Sequence, residues 1–449
     1  MISYPLSIDY STYEKQNDLE IKYGLPREVI YCKRCVISNQ RPNSSNEYTH
    51  QSNSKKETIL FDEQGICDAC RFSEKKQKEI NWSEREQQLL ELCNQYRRTD
   101  GGYDCLLPGS GGKDSFYAAH ILKYKYGMHP LTVTWAPNLY TDWGWKNHRA
   151  WINAGFDNYL ITPNAKTHRL LTRLAVDNLL HPFQPFIIGQ KAIPPKIAAQ
   201  LNIPLLFYGE NEAEYGNPIR DTEKAIRDYR YFTQHTDNVF LSGVSITELF
   251  ESFGLSKNDL NIYMPTSPEQ LEDKNIKVHY LGYYLKWHPQ SCYYYAVENG
   301  GFTASPERTL GTYSKYNSID DKIDDLHYYT TGVKFGIGRA TYDAAQEIRS
   351  GDITRDEGIA LVKRYDHEYP TRFLDDIFHY LSINKKEFPM ASQHFEKPEM
   401  DNEYFNRLCD HFRSAHLWKW EGQWVLRHPI LDISEDDVLV TSLVEEYLR

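Results

Sequence analysis

The 449-residue sequence contains no apolar run that approaches the roughly 20 residues needed to span a bilayer. Residues 1–5 also lack the basic and apolar regions of a secretory signal peptide. Both absences predict a cytoplasmic protein with no membrane association. Because cytoplasmic cysteines stay reduced, we expect paired cysteines in this chain to bind a metal rather than to form disulfides.

The chain also lacks an excess of basic residues. It has 51 Lys and Arg against 62 Asp and Glu, which gives a formal charge of −11. Short basic stretches such as Lys75-Lys76 lie beside acidic residues such as Glu74 and Glu79. Neutralisation of phosphates supplies most of the affinity of nucleic-acid-binding proteins. The composition therefore disfavours a nucleic-acid partner, while leaving room for a local basic patch in the folded chain.

The length exceeds the roughly 250–300 residues at which a single core stops growing, so more than one domain is expected. Three regions differ in pattern. Residues 1–98 are polar and cysteine-containing, residues 99–218 alternate strands with helices, and residues 219–449 are α-rich. Within the first region, residues 40–57 are rich in Asn, Ser and Lys and predict an exposed loop, whereas residues 83–96 predict a helix.

Short apolar runs in the middle region predict buried strands at residues 105–107, 131–135, 159–161 and 204–208. Helical stretches lie between or beside them, at residues 115–126, 143–154, 166–180 and 195–200. This alternation predicts an α/β fold with a parallel sheet covered on both faces. Ligands of such sheets bind beyond the carboxyl ends of the strands.

Helical signals dominate the last region, which we expect to cover the sheet and to provide substrate contacts. The predicted helices are residues 223–234, 246–253, 342–349, 355–365 and 374–381. The aromatic stretch 280–295 gives no prediction.

Two C-x-x-C pairs lie in residues 1–98. They are Cys32 with Cys35 and Cys67 with Cys70. Two intervening residues let both sulfurs of a pair meet one metal, and four thiolates complete a tetrahedral Zn²⁺ site. The motifs offer no further ligand that would leave an open position, so we expect a structural zinc ion. A reduced iron–sulfur site or chance clustering is the alternative.

A glycine-rich string joins the first predicted strand to the helix that follows it. It comprises Ser110, Gly111, Gly112, Lys113, Asp114 and Ser115. Glycines let backbone N–H groups approach an anion, and a helix N-terminus favours negative charge. Lys113 adds a cation, the two serines add hydroxyl donors, and Asp114 could help to hold Mg²⁺. A phosphate-binding loop is therefore expected, and a plain glycine-rich turn is the alternative.

This string departs from the Walker pattern and resembles the PP-loop of the ATP pyrophosphatase superfamily, whose members cleave ATP between the α- and β-phosphates. The resemblance implies that the whole loop binds ATP and that Lys113 and Asp114 are catalytic. It also implies that Trp135, on the second strand, helps to read adenine and that Lys191 contacts a phosphate. The stretch after the fourth strand would contribute ATP contacts and, with Asp114, Mg²⁺ ligands. The implied ATP contacts are Gly209, Glu210 and Asn211. The implied Mg²⁺ ligands are the carboxylates of Glu210 and Glu214. The alternative is that both are solvated acidic residues of a loop.

Further strings resemble the N-acetyl sugar amidotransferases of bacterial surface-polysaccharide, lipopolysaccharide O-antigen and nonulosonic-acid pathways, over nearly the whole chain. They are residues 31–35 with Arg41-Pro42, 61–70, 155–157, Lys315-Tyr316 with Asp320-Asp321, 334–341, 347–351 and 364–366. Two departures are the Asn/Ser-rich stretch after Pro42, which looks like an insertion, and Gly109, which replaces a bulkier residue. The resemblance implies that ATP adenylates the acetamido oxygen of a sugar and that ammonia then displaces AMP. The product carries an acetamidino group.

The chain shows no obvious glutaminase domain, so ammonia has to come from elsewhere. The resemblance implies a separate glutaminase partner, similar to the glutaminase and cyclase subunits of imidazole-glycerol-phosphate synthase, and a sugar or sugar-nucleotide substrate. Residues 334–341 could bind an anion such as a sugar-nucleotide diphosphate or pyrophosphate. The candidate residues there are Lys334, Gly336, Gly338 and Arg339, and a tight turn with solvated cations is the alternative.

Two other functions stay open at this point. An enzyme of the tRNA-thiolation type would share the PP-loop and the cysteine pairs. The acidic charge argues against it, as does the lack of any cysteine between Leu106 and Ser291. A non-catalytic, zinc-bound scaffold would require a decayed loop, whereas the loop retains the residues that the chemistry needs.

Overall fold

The computed structural model describes residues 7–218, 224–235 and 238–430. The strands in these ranges are β1 (Cys105–Pro108), β2 (Pro130–Trp135), β3 (Asp157–Ile161), β4 (Leu205–Tyr208), β5 (Phe240–Leu241), β6 (Val244–Ser245), β7 (Lys277–Tyr280), β8 (Trp418–Trp420) and β9 (Trp424–Leu426). The helices are α1 (Ser11–Glu14), α2 (Asp68–Lys78), α3 (Trp82–Tyr96), α4 (Lys113–Tyr124), α5 (Asp142–Asn153), α6 (Ala165–Leu179), α7 (Gln184–Leu201), α8 (Ile246–Glu251), α9 (Lys257–Leu260), α10 (Pro268–Asp273), α11 (Leu281–Tyr284), α12 (Pro289–Gly300), α13 (Asp324–Phe335), α14 (Arg339–Ser350), α15 (Arg355–Tyr365), α16 (Leu374–Leu381) and α17 (Asn402–Phe412). None of these helices is both long and apolar enough to cross a bilayer.

A five-stranded parallel sheet forms the centre of the molecule, in the order β3-β2-β1-β4-β7. The residues of β2 are all buried, as are the first three of β1 and of β4. Strands that are apolar on both faces need helices on both sides, which confirms the predicted α/β class. All four predicted strands form, but the prediction that residues 159–161 are buried is wrong, because Tyr159 and Leu160 are exposed on β3 at the edge of the sheet. The fifth strand, β7, lies at an edge and comes from beyond residue 219.

Two apolar clusters cover the two faces of the sheet. On one face, α6 and α7 pack against β1 and β2 through residues such as Leu170 and Ile188. On the other face, α3, α4 and α12 pack against β1 and β4 through residues such as Phe116. The central strands are therefore buried from both sides, and the carboxyl edge of the sheet is the part left open for a ligand.

Strands β2 and β3 are added on one side of β1, and the later strands β4 and β7 are added on its other side. The chain leaves β1 through α4 to reach β2 on one side, whereas β4 lies on the other side of β1. Open α/β sheets bind ligands in the crevice outside the carboxyl ends of the strands at such a switch point. The loop between β1 and α4 occupies that position.

Several sequence-based expectations need correction. Residues 40–57 are not an exposed loop, because Gln40, Glu47, Tyr48 and His50 are buried and a 3₁₀ turn spans Glu47–Thr49. Helix α7 begins at Gln184 rather than near residue 195, and it runs through two internal prolines. The helix predicted over residues 223–234 is absent from the part that the structure describes, where only a 3₁₀ turn at Tyr229–Tyr231 forms; Glu223 itself lies outside the described residues.

One fully buried arginine ties α6 to the C-terminal region. Arg173 Nε donates to Asp177 Oδ1 at 2.9 Å, and its terminal nitrogens donate to the carbonyl oxygens of Leu381, Pro398 and Lys397. Its side chain is 0% exposed. Removing one partner of a buried ion pair leaves an uncompensated charge, here on Asp177.

We expect Arg173→Met to lower the free energy of unfolding by about 3–5 kcal/mol, measured by denaturant titration. Arg407→Met is the matched control. Arg407 also pairs with a carboxylate, Glu396, at 2.9 Å, but the two side chains are 27% and 29% exposed. A partly exposed pair of this kind contributes about 1 kcal/mol or less. Equal losses in the two variants would contradict the anchoring role of Arg173.

Candidate active site

The loop between β1 and α4 is held in a conformation that requires glycine. Gly109 N donates to the carbonyl oxygen of Val133 on β2 at 2.9 Å. Gly111 has a φ of +88°, and a Cβ atom there would lie 2.7 Å from the carbonyl oxygen of Asn147. A side chain at this position would meet both backbone strain and a steric clash with α5. Glycine at position 111 is therefore a condition for the loop to pack against α5.

Helix α4 begins directly after this loop. Its N-cap is Gly112, and no side chain caps its first turn. Ser115 Oγ donates to the carbonyl oxygen of Gly112 at 3.0 Å and so stays beside the loop. An uncapped helix N-terminus that follows a glycine loop is suited to binding an anion through backbone N–H groups.

Two cavities flank the loop. The first, of about 240 Å³, opens beside Ser110 and the ends of β1 and β2, and we call it the strand-end cavity. The second, of about 270 Å³, opens beside Lys113 and Asp114, and we call it the arginine cavity after Arg41, Arg339 and Arg349 in its wall. An extended ligand lying across the loop could therefore place one end in each cavity.

The strand-end cavity combines an apolar wall with carboxylates. Trp135, Phe186 and Pro194 form part of the apolar wall, and Asp320 and Asp324 belong to the polar side. The indole Nε1 of Trp135 is buried without a hydrogen-bond partner among the described residues. A flat ring bearing polar edges would match this combination of aromatic surface and free donor.

Close packing of α7 fixes the Trp135 ring. A Cβ atom at Gly189 would lie 2.2 Å from the ring, so only glycine lets α7 approach it this closely. Tyr263 and His168 contact the same ring, with centroids at 5.7 Å and 5.9 Å. Trp135 is thus held rigidly where the resemblance had placed an adenine contact.

The carboxylates of the strand-end cavity are brought there by pairing between distant segments. Thr141 N donates to the carbonyl oxygen of Asp320 at 3.1 Å, and Lys322 N donates to that of Leu139 at 2.8 Å. The Asp321 carboxylate accepts from the backbone N–H groups of residues 138, 139 and 323 and locks this contact. Burial raises the pKa of Asp321 to about 7 and raises the pKa of Asp324 well above its usual range.

Acidic and basic side chains together line the arginine cavity. Lys113, Asp114 and Glu210 are among them. Lys113 Nζ donates to both carboxylate oxygens of Asp114, at 2.8 Å and 2.7 Å. Arg339 and Arg349, both on α14, also line the cavity, and Arg339 Nε pairs with Asp343 Oδ1 at 2.9 Å. The ammonium group and the guanidinium groups together suit a ligand with several negative charges.

Burial and neighbouring charges perturb the titrating groups of this cavity. Burial is the largest influence and would lower the pKa of Lys113, but the charge and hydrogen bond of Asp114, with smaller contributions from Cys292 and Glu210, together raise that pKa. Burial, assisted by the charge of Asp114, raises the pKa of Glu210 to about 7. Lys113 is therefore a fixed cation, whereas Glu210 changes its protonation state near neutral pH.

The structure brings only some of the other predicted residues to these cavities. Gly209 accepts a backbone hydrogen bond from Gly282 at 2.8 Å, and the Asn211 side chain caps a 3₁₀ turn through Ala213 N at 3.0 Å. The Glu214 carboxylate pairs with Lys76 Nζ at 2.7 Å instead of joining Asp114 and Glu210 in lining the cavity. Gly209, Asn211 and Glu214 thus stabilise the segment after β4 and line neither cavity.

Lys191 and Lys334 also lie outside both cavity walls. Lys191 is inside α7, where burial lowers its pKa. Lys334 lies in α13, and its Nζ donates to the carbonyl oxygen of Leu179 at 2.8 Å. Of the residues predicted in 334–341, only Arg339 lines the arginine cavity, whereas Gly336 ends α13 and Gly338 is the N-cap of α14.

Sequence reasoning gave no role to several residues that the fold places at the site. Arg41, Arg349 and Asp320 occur in the strings that carried the family resemblance, but the strings do not say what these side chains contact. Asp324 carried no signal at all. Its carboxylate is 8% exposed and lines the strand-end cavity.

The cysteines of the two C-x-x-C pairs come together in one buried cluster. Cys32 Sγ lies 3.8 Å from Cys70 Sγ, and Cys35 Sγ lies 3.8 Å from Cys67 Sγ. All four sulfurs lie within 4.8 Å of one another and could hold a metal ion, which is consistent with a structural zinc. The cluster packs against Ala344 and Ala345 of α14, the helix that carries Arg339 and Arg349. It therefore supports one wall of the arginine cavity.

A further cysteine, Cys292, lies near Lys113 and Asp114, although the sequence places it far from the loop. Burial and the charge of Asp114 raise the pKa of its thiol well above the usual range. Its side chain is 1% exposed and lines neither cavity. A buried, protonated thiol does not act as a nucleophile.

The raised pKa of Glu210 predicts how stability depends on pH. Because the folded-state pKa of about 7 exceeds the unfolded value of 4.5, neutral Glu210 stabilises the fold, and this contribution is lost as the pH rises through 7. Glu210→Gln stays neutral. The free energy of unfolding of this variant, relative to wild type, should therefore rise between about pH 5 and 7 and level off above that range.

Glu212→Gln is the matched control for that measurement. Burial opposes ionisation of Glu212, but the charges of Arg227 and Lys191 and the hydrogen bonds from Ser44 and Arg227 together lower its pKa below 4.5. The stability from ionised Glu212 is lost only as the pH falls through that lower pKa, so its difference from wild type should stay flat from about pH 5 to 8. Flat differences for both variants would contradict the electrostatic description of the site.

Residues 310–429 match the family model described as the LPS biosynthesis protein WbpG-like, C-terminal domain. The matched segment contributes Asp320 and Asp324 to the strand-end cavity and Arg339 and Arg349 to the arginine cavity. Comparison with curated proteins gives no significant match. The C-terminal part of this chain is thus similar to that of WbpG-like proteins, which supports its placement in a polysaccharide-biosynthesis family.

Proposed function

We propose that this protein is a cytoplasmic, ATP-dependent amidotransferase that converts an acetamido group of a sugar into an acetamidino group during surface-polysaccharide biosynthesis. The observation that carries the proposal is the arginine cavity. There the loop residues Lys113 and Asp114 line the same cavity as Arg339 and Arg349, which come from the segment similar to LPS biosynthesis proteins. Residues from a loop suited to binding ATP and residues from a segment similar to LPS biosynthesis proteins thus line one cavity.

The proposed arrangement of ATP follows from the two cavities. The strand-end cavity would hold the adenosine, with Trp135 at the adenine and a carboxylate such as Asp324 near the ribose hydroxyls. The loop would hold the α-phosphate at the N-terminus of α4. The β- and γ-phosphates would then extend toward Lys113 and the guanidinium groups of the arginine cavity.

The reaction balances as two substitutions. The acetamido oxygen attacks the α-phosphorus, the bond between this phosphorus and the bridging oxygen breaks, and pyrophosphate leaves. Ammonia then adds to the imidate carbon, the bond from that carbon to the AMP oxygen breaks, and the nitrogen loses a proton. Lys113 and the arginines would stabilise the charge that develops on pyrophosphate, which is where fixed cations lower the barrier most.

The residues present fit the two metals that this function implies. Asp114 and Glu210 supply the carboxylate oxygens that Mg²⁺ prefers, and a bound Mg²⁺ would neutralise phosphate charge. Glu210 would then be held ionised despite its raised pKa. The cysteine cluster offers four thiolates of the kind that bind structural Zn²⁺, and we propose that it holds this ion.

A second candidate is an enzyme of the tRNA-thiolation type, which the position of Cys292 near Lys113 would favour. The raised pKa of this thiol and its 1% exposure weigh against it as a sulfur carrier. The first experiment below separates the two candidates, because each predicts a different substrate for AMP formation.

Lys113→Ala and Asp114→Ala should each reduce substrate-dependent formation of AMP and pyrophosphate by about 100-fold or more. The assay would follow both products from ATP with a panel of N-acetyl sugars and nucleotide-linked N-acetyl sugars, and with unmodified tRNA in a separate arm. Lys125→Ala is the control, because Lys125 ends the same helix, with 53% of its side chain exposed, and pairs with Glu86. Near-normal turnover in both loop variants would refute the loop assignment, and AMP formation with tRNA alone would favour thiolation.

The source of nitrogen gives an independent prediction. Ammonia at neutral pH is mostly ammonium, which has no free electron pair, so a partner that delivers ammonia directly would serve the reaction better than a free pool. We expect the isolated protein to form the amidine with ATP and high ammonium, but to use glutamine only when an active glutaminase is added. A glutaminase with its nucleophile replaced is the control. Conversion of glutamine to glutamate by this chain alone would rule out the separate partner.

A further inference from the structure

A second cluster of metal-binding side chains lies in the segment after Pro42, away from the cysteines. It consists of Glu47 in the 3₁₀ turn, His50 directly after that turn and His181 after the end of α6. One nitrogen or oxygen atom of each side chain lies within 4.8 Å of the others. We propose that these three side chains bind a divalent transition-metal ion.

The distances between the side chains suit a common metal ion. Glu47 Oε2 lies 3.2 Å from His50 Nδ1 and 3.8 Å from His181 Nε2. Ligand atoms held about 2.0–2.2 Å from a tetrahedral zinc ion lie about 3.3–3.6 Å from one another. An ion could therefore bind with only small side-chain adjustments and no change of the backbone.

Hydrogen bonding within the protein leaves this cluster incompletely satisfied. His50 lies within hydrogen-bonding distance of the Glu47 carboxylate. The 3.8 Å between His181 Nε2 and the same carboxylate oxygen is too long for a hydrogen bond, and no other residue that the structure describes bonds to this ring nitrogen. A carboxylate and an imidazole that face each other across such a gap are well placed to share a cation.

The backbone around Glu47 is fixed from two sides. Gln184, which is fully buried, donates from Nε2 to the carbonyl oxygen of Glu47 at 2.9 Å. The next residue, Tyr48, is 2% exposed and donates from its hydroxyl to the carbonyl oxygen of Tyr263 at 2.9 Å. The Glu47 carboxylate is thus positioned by the fold before any ion binds, which is what a specific metal site requires.

The ligand types indicate which ions would bind. Imidazole nitrogens favour ions such as Zn²⁺, Fe²⁺ and Co²⁺, whereas Mg²⁺ and Ca²⁺ prefer sets made of oxygen alone. Three protein ligands would leave at least one coordination position for water. The side chains of His181 and Glu47 are 13% and 11% exposed, so solvent can reach the site.

Two lysines lie close to the cluster and could balance the charge of Glu47 in place of a metal ion. Lys56 Nζ donates to Ser45 Oγ at 2.8 Å, and Lys334 Nζ donates to the carbonyl oxygen of Leu179 at 2.8 Å. Neither of these hydrogen bonds goes to Glu47, so neither lysine occupies its carboxylate. In the competing arrangement Glu47 only balances the two ammonium groups, and no metal binds.

The site lies one aromatic ring away from the arginine cavity. The His181 ring stacks on His327, with centroids 5.3 Å apart and planes 17° apart, and His327 lines that cavity. Arg41, which is in the cavity wall, comes directly before Pro42 and so immediately precedes this segment. A metal bound to Glu47 and His181 would therefore join the segment after Pro42 to the wall of the arginine cavity.

The test uses the full chain loaded with Zn²⁺ and then dialysed against a weak chelator to remove surface-bound metal. Zinc per chain would be measured by elemental analysis, and the ligands by X-ray absorption. We expect about two zinc ions per chain in the wild type, with imidazole scattering beside sulfur. Glu47→Gln and His181→Gln should each lose one zinc ion and the imidazole signal, and His327→Gln should keep both.

The imidazole signal decides the outcome independently of the cysteine cluster. Absence of nitrogen ligands from the zinc of the wild type would overturn the proposal, and so would retention of the imidazole signal in Glu47→Gln and His181→Gln. If the variants fail to fold, the wild-type absorption spectrum decides by itself, because the cysteine cluster contributes only sulfur.

Discussion

The arrangement of charge around Lys113 is the constraint on which the rest of the site depends. A buried ammonium group is tolerated only where carboxylates compensate the cost of burial. Asp114 provides this compensation at 2.7 Å and 2.8 Å, and Glu210 adds to it from the end of β4. The same cost of burial that Lys113 overcomes keeps Glu210 neutral until near pH 7. Lys113 is thus held as a cation beside a carboxyl group that titrates near neutral pH.

The framework of this site was predictable from the sequence because its signals are local. Strands apolar on both faces identified the parallel sheet, and glycines between a strand and a helix identified the loop. The spacing of Cys32, Cys35, Cys67 and Cys70 predicted the metal-binding cluster that the structure assembles. Within each motif the determining residues are close together in the sequence, so their spacing indicates the local structure directly.

The missed features depend on contacts between distant segments. Lys277–Tyr280 becomes a strand because β4 offers it a parallel edge, although its own sequence carries no strand pattern. The prolines at 194 and 195 resembled a helix start, yet α7 continues through them because its apolar residues pack on β1 and β2. The segment after Pro42 was predicted to be exposed from its polar composition. Glu47 and Tyr48 are buried through contacts with Gln184 and Tyr263. These contacts join distant parts of the sequence, so composition alone does not predict them.

The chain as a whole is negatively charged, whereas one of its cavities is lined by several basic side chains. A formal charge of −11 disfavours extended nucleic-acid binding, but it places no limit on one cavity. Arg41 is distant in sequence from Arg339 and Arg349, and it meets them because α14 packs on the cysteine cluster close to Arg41. This convergence places three guanidinium groups in one cavity of an acidic protein. The arginine cavity therefore depends on the N-terminal and C-terminal regions together, because neither the loop before α4 nor the WbpG-like segment contains all of its lining residues.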